Sequence, residues 1–137
     1  MNRKLFTILI SLIIIIAIAG ATILYFLLKE DKADGTLPLD KAVEYSYTTE
    51  EIKTDLKDNS YVLIQFQLFT DSKEAKKELV QREFQVKNEF IKQSTHLTEE
   101  DFQTSLDEIE NKMKEAMNQQ MENGEILDVL IVNKVIQ

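Results

Sequence analysis

The residues with the greatest capacity for chemistry lie between two stretches that have helical periodicity. His96 is the only histidine of the 137 residues, and an acidic run at residues 99–101 follows it closely. An imidazole beside carboxylates can transfer protons or bind a metal ion. The spacing also fits a helix start, because Thr98 is a good N-cap and acids stabilise a first helical turn. We therefore interpret His96 as a loop residue and the acids as the start of a helix.

Other signatures of catalysis or cofactor binding are missing from the sequence. The chain has no cysteine, which excludes disulfides, cysteine–metal sites and thiol catalysis. Its three glycines are isolated, so no phosphate-binding loop is present. Glutamates are numerous, but no pair stands apart as the two carboxyl groups of a glycosidase. The sequence predicts a protein that is not an enzyme and that holds no cofactor or metal.

The charge of the chain excludes one class of partner. Residues 29–137 carry 14 Lys and Arg against 24 Asp and Glu, which gives them a formal charge of −10. Such a surface repels the phosphates of DNA and RNA. We therefore expect no nucleic-acid partner.

The most strongly patterned segment is residues 5–28, which contain no charge over 24 positions. As a helix it would be roughly 36 Å long, enough to cross a hydrocarbon core. Sixteen of its positions are Leu, Ile or Phe, which favour insertion by roughly 5–10 kcal/mol in total. It is predicted to be a transmembrane anchor in contact with membrane lipid. Anchor positions along it include Leu5, Ile10, Ile15, Gly20, Leu24 and Leu28.

A second fate for this segment is cleavage by signal peptidase. Ala17, Ala19 and Ala21 have the spacing of a cleavage site, and cutting after Ala19 or Ala21 would release a secreted domain. The apolar run, however, continues well beyond Ala21, whereas a secretory apolar region ends at its cleavage site. We expect the anchor to be retained. The basic Arg3 and Lys4 favour a cytoplasmic N-terminus.

This interpretation divides the chain into four parts. Residues 1–4 form a cytoplasmic tail, 5–28 the transmembrane helix, 29–39 a linker, and 40–137 an extracytoplasmic domain. The location is thus the inner or plasma membrane, with a single pass.

The domain has alternating strand and helix patterns. Residues 61–70 and 125–137 read as strands, and the second is apolar on both faces, which is typical of a central strand. Helices are expected from a cap at Asp71 or Ser72 to about residue 93, and from Thr98 to residue 123. The first has an apolar stripe formed by Ala75, Leu79, Val86 and Phe90, which Val80, Phe84 and Ile91 would widen. We predict an α+β domain of about three strands and two to three helices.

An extended segment precedes these elements. Val43, Tyr45 and Tyr47 alternate with polar residues, which indicates a short strand or extended arm.

The order of these elements resembles a known family. The strand "SYVLIQFQLF" (residues 60–69), the helix start "DSKEAKKELVQRE" (71–83) and a chain that stops directly after a strand are similar to the FliL family of flagellar basal-body-associated, single-pass membrane proteins. The resemblance covers nearly the whole chain. It rests on the order of the elements and the total length of the chain more than on any single motif.

The resemblance implies a fold and a function. It implies a stomatin-like domain that oligomerises as a ring beside the stator of the flagellar motor, without catalysis. It also implies support of flagellar rotation, motility or swarming and chemotaxis, with stator and basal-body proteins and further copies of the chain as partners. In that picture the arm with Val43, Tyr45 and Tyr47 faces a partner. The alternative is a membrane-tethered adaptor or sensor of another envelope complex.

Overall fold

The structure is a computed structural model that describes residues 2–30 and 37–137, with side chains for residues 2–25 and 37–137. These residues fall into two compact units, an N-terminal helix and a domain that begins at Leu37. Most of the predicted linker, 29–39, lies outside the described residues. Its last residue, Leu39, belongs to a helix of the domain, so the linker ends earlier than predicted.

The N-terminal helix, α1 (Arg3–Glu30), contains the predicted anchor. Its segment Arg3–Tyr25 is long and apolar enough to cross a membrane. The hydroxyl groups of Thr7, Ser11 and Thr22 donate to backbone carbonyl oxygens of the preceding turn, at 2.6–2.8 Å. Their polar groups are thereby satisfied within the helix, as a hydrocarbon environment requires.

The domain contains five short helices and four strands, which confirms the α+β class. In chain order its elements are α2 (Leu39–Glu44), β1 (Ser46–Thr48), β2 (Ile52–Asp55), β3 (Tyr61–Thr70), α3 (Lys73–Gln81), α4 (Glu83–Ser94), α5 (Asp101–Thr104), α6 (Leu106–Asn118) and β4 (Ile126–Ile136). Of these, β2 was not expected from the sequence, and the predicted strand through Val43 is wrong in its first half, which is α2.

The four strands form one antiparallel sheet with β3 at its centre. β1 and β2 pair with opposite ends of one edge of β3, and β4 pairs with the other edge. The prediction that the C-terminal strand is central is therefore wrong. One face of β4 packs on the helices. The other face is also partly apolar, but its Leu130 and Val135 are exposed.

Thr49 fills the gap between β1 and β2 on the edge of β3. Its N–H donates to the carbonyl oxygen of Phe66 at 2.9 Å, and its Oγ1 accepts from the N–H of Phe66 at 3.1 Å. The side chain of Thr49 thus replaces a backbone acceptor where the two short strands part.

The core lies between one face of the sheet and the helices. Alternate residues of β3 are fully buried, and the helices add a stripe that the periodicity predicted correctly at Ala75, Leu79, Val86 and Phe90. Ser72 caps α3 as expected, since its Oγ accepts from the N–H of Ala75 at 3.1 Å. Phe102, Met113 and Met117 complete the packing from α5 and α6.

Both long helices of the prediction are broken. Arg82, with φ −95° and ψ 13°, ends α3 and begins α4. Val80 and Phe84, which lie on either side of this break, are 44% and 69% exposed. Ile91 is exposed as well, so none of the three residues widens the core stripe. Ser105, with φ −135° and ψ 33°, divides the second helix into α5 and α6.

Gly124 allows the chain to turn from α6 into β4. Its φ is +93°, and a Cβ atom built there would clash with Asp71 Oδ1 and lie 2.9 Å from the Cβ of Ala75. The left-handed backbone and the close approach of α3 both require glycine.

We predict that Gly124→Ala destabilises the domain by about 2 kcal/mol, because it strains the backbone and displaces α3. Urea unfolding of the detergent-solubilised full chain, followed by circular dichroism, measures this loss. Gly20→Ala is the matched control, since a Cβ at Gly20 meets no atom within 4 Å apart from its chain neighbours and the backbone of its own helix. Equal unfolding midpoints for the two variants would contradict the prediction.

Candidate functional site

The predicted partner-facing arm is folded against the domain. Val43 lies on α2 and is 57% exposed, whereas Tyr45 and Tyr47 are half-buried. The carbonyl oxygen of Tyr45 accepts from Thr70 Oγ1 at 2.7 Å, which fixes the end of α2 to the end of β3. Of the three residues, Val43 is thus the one best placed to touch a partner. The partner-facing role of the three stays a prediction.

Tyr47 packs its ring against the core instead of extending from the surface. It lies opposite Leu68 on the helix-facing side of the sheet. Burial, a hydrogen bond to Glu83 and the charges of Glu83 and Glu50 raise the pKa of Tyr47 to about 12. Glu83 Oε1 also accepts from the N–H of Glu50 at 3.0 Å. The first turn of α4 therefore holds the connection between β1 and β2.

The residues with catalytic potential have structural roles. Asp101 Oδ2 accepts from the N–H and the hydroxyl of Thr98, at 2.8 and 3.0 Å, and so closes the turn before α5. His96 lines a shallow cavity of about 200 Å³ together with Asp101 and Glu108. Among the described residues, no group of three histidine or carboxylate side chains is arranged to hold a metal ion.

A buried carboxylate joins α3 to the loop before β4. Glu78 Oε1 accepts from Arg82 Nε at 2.7 Å and from the N–H of Glu122 at 2.9 Å, and Oε2 accepts from the N–H of Asn123 at 2.7 Å. Desolvation raises the pKa of Glu78, but these hydrogen bonds outweigh it and lower the pKa to about 2. The ionised form of Glu78 therefore stabilises the fold.

The outer edge of β4 is protected against pairing with a further strand. The N–H of Ile131 donates to Glu110 Oε1 at 2.8 Å, and the N–H of Val129 donates to Asp128 Oδ1 at 2.9 Å. Carboxylates thus occupy amide groups that an added strand would need. Sheet extension through the middle of β4 is disfavoured.

Two exposed surfaces contain apolar side chains that nothing among the described residues covers. The first is the sheet face turned away from the helices, where Tyr61, Leu130 and Val135 are exposed. The second is at α2 and α3, which a hydrogen bond from Lys76 to the carbonyl oxygen of Glu44 joins, and where Val43 and Val80 are exposed. Sequence reasoning missed the second surface because it assigned Val80 to the core. The spacing of Lys73, Lys76, Lys77 and Val80 on α3 was the signal for it.

These features define a small α+β domain that follows a helix able to span a membrane, with surfaces suited to contacts. Comparison of the sequence with known proteins supports this class of protein. The family model for "Flagellar basal body-associated protein FliL" matches residues 46–137, which begin at the first residue of β1. The "Flagellar protein FliL" of Bacillus subtilis (strain 168) is 30% identical over 117 residues, which cover 82% of this chain and 84% of that protein.

The chain belongs to the FliL family of flagellar basal body-associated proteins. This membership confirms the resemblance seen in the sequence. It makes the chain a structural flagellar protein and not an enzyme. With the candidate span in α1, it supports a membrane-associated place at the flagellum.

We predict that the stability of the domain falls as the pH drops from about 4.3 towards 2, because the unfolded pKa of glutamate is about 4.3 and that of folded Glu78 is about 2. Above this window the ionised carboxylate is fully stabilising. Glu78→Gln should weaken this pH dependence and lower the free energy of unfolding at neutral pH by about 1–3 kcal/mol.

Urea unfolding of the full chain from neutral pH to about pH 2 measures this effect. Glu115→Gln is the matched control, because Glu115 is exposed on α6. A Glu78→Gln variant as stable as the Glu115→Gln variant at neutral pH would refute the role of Glu78.

Proposed function

We propose that the chain is a non-catalytic accessory of the flagellar motor that associates with the stator and supports rotation, motility or swarming, and chemotaxis. The observation that carries the proposal is the family match over residues 46–137, which contain all four strands, joined to an N-terminal helix that carries no charge between residues 5 and 28. The anchor residues predicted above, from Leu5 to Leu28, would hold the chain in the inner or plasma membrane. Residues 1–4 would lie in the cytoplasm and the domain, residues 40–137, outside it.

The proposed arrangement is an oligomeric ring of subunits around the stator, with a domain that is stomatin-like in fold. Anchoring in one membrane supports assembly, because it raises the effective concentration of neighbouring domains. The exposed sheet face with Tyr61, Leu130 and Val135 supplies an apolar surface for contact between subunits. The protected edge of β4 argues that subunits meet through faces and not by adding strands.

Deleting the protein should reduce swarming while flagella still assemble, since an accessory of the motor acts on rotation and not on filament growth. Swarm diameter on soft agar and filament counts by microscopy measure the two quantities. The full chain should restore swarming, and a chain that lacks residues 1–28 should not.

Leu130→Asp tests the proposed ring in the same strain. We expect it to lower the mass of the detergent-solubilised assembly and to fail to restore swarming, because it places a charge in the apolar contact face. Lys112→Asp, an exposed change on α6, is the control and should restore swarming. Normal swarming in the deletion strain, with a defect in another envelope process, would favour an adaptor of a different complex.

A further inference from the structure

We propose that the outer surface of α2 and α3 docks on anionic lipid headgroups of the bilayer that holds α1. This inference rests on the membrane anchoring proposed above. It is independent of the proposed stator partner.

The charge of this surface comes from one side of α3. Lys73, Lys76 and Lys77 have i, i+3 and i+4 spacing, so they share a face, and Val80 continues that face one turn later. The opposite side of the helix carries the buried Ala75 and Leu79. Three lysines thus point away from the core in a domain whose net charge is strongly negative.

Apolar groups accompany the lysines. Lys76 Nζ donates to the carbonyl oxygen of Glu44 at 2.8 Å, which holds the end of α2 beside α3. An open groove of about 500 Å³ runs there, lined by the three lysines, Val80, Gln81 and Glu44. On α2, Leu39 and Val43 are 79% and 57% exposed. Lysines beside exposed apolar side chains are typical of surfaces that lie in a lipid interface.

The covalent structure of the chain favours a membrane as the occupant. α1 ends at Glu30 and α2 begins at Leu39, so only residues 31–38 separate them. Even fully extended, this connection spans about 30 Å. α2 therefore cannot move far from the bilayer in which α1 is anchored. A soluble acidic partner, in contrast, is not held close to α2 by the chain itself.

Charge complementarity selects the side of the domain that faces the lipids. Anionic headgroups attract lysines near the surface and repel the acids that dominate residues 29–137. An approach with α3 turned towards the bilayer brings three lysines close to the headgroups. Glu44 lies at the groove, and Asp40 of α2 and Glu74 of α3 are exposed on the same two helices. These acids limit the attraction, which predicts docking that salt can reverse.

The test uses the full chain reconstituted in phosphatidylcholine vesicles with and without phosphatidylglycerol. Because the chain has no cysteine, Gln81→Cys places a single fluorophore in the groove. Nitroxide-labelled headgroups quench a fluorophore that lies at the bilayer surface. We expect strong quenching with phosphatidylglycerol, weak quenching without it, and loss of quenching at high salt. A fluorophore at Asp107→Cys, exposed on α6, should be quenched little in both.

Lys73→Glu combined with Lys77→Glu should lower the docking equilibrium constant by about tenfold or more. Lys76 is left unchanged because it holds α2. Lys57→Glu combined with Lys112→Glu makes the same change in net charge at exposed sites away from α3, and should leave quenching unchanged.

Each remaining outcome has a defined meaning. Quenching that is equal in both lipids, or that the Lys73 and Lys77 variants do not alter, overturns the proposal. Quenching that rises with protein density at constant lipid composition also overturns it, because a second copy then occupies the surface. Failure of the chain to float with the vesicles refutes the anchor itself and with it the proposed function. Flotation without quenching refutes only the docking.

Discussion

The pairing of β3 along both of its edges is the constraint on which the rest of the domain depends. β1 and β2 occupy one edge and β4 the other, so the central strand has neighbours along its whole length. Its side chains at Val62, Ile64, Phe66 and Leu68 are fully buried beneath the helices. From Phe66, edge-to-face ring contacts lead to Phe90 of α4 at 5.2 Å and on to Phe102 of α5 at 6.5 Å. These ring contacts hold α4 and α5 on the sheet.

Polar side chains then stabilise the places where the regular pairing ends. Thr49 bridges the two short strands, and Asn118 binds both backbone groups of Ile126 at the start of β4, at 2.7 and 2.9 Å. Asp58 Oδ2 accepts from the N–H of Glu99, and its hydrogen bonds to Ser60 and Glu99 lower its pKa. The many acids of the chain thus include several that serve the fold. Asp128 and Glu110 also occupy two amide groups in the middle of the β4 edge, which disfavours pairing with another strand there.

Sequence periodicity predicted those parts of the fold that depend on local pattern. The bounds of β3 follow from a strand pattern with one fully apolar face and one mixed face, and the cap at Ser72 follows from residue type. The breaks at Arg82 and Ser105 could not be predicted, because neither arginine nor serine is a strong helix breaker. The position of β4 was predicted wrongly for a related reason. A strand that is apolar on both faces is typical of the centre of a sheet. The same pattern also arises in an edge strand whose second face is exposed, as at Leu130 and Val135.

The central claim is that the domain lies outside the cytoplasm at the flagellar base. The most direct measurement reports both the position of the domain in the cell and the side of the membrane on which it lies. A self-labelling tag at the C-terminus, stained with a membrane-impermeant dye on spheroplasts, reports only domains outside the cytoplasm. The account predicts stained spots that coincide with flagellar bases and disappear when the stator is deleted. Diffuse staining unrelated to flagella, or staining that requires permeabilised membranes, would contradict it.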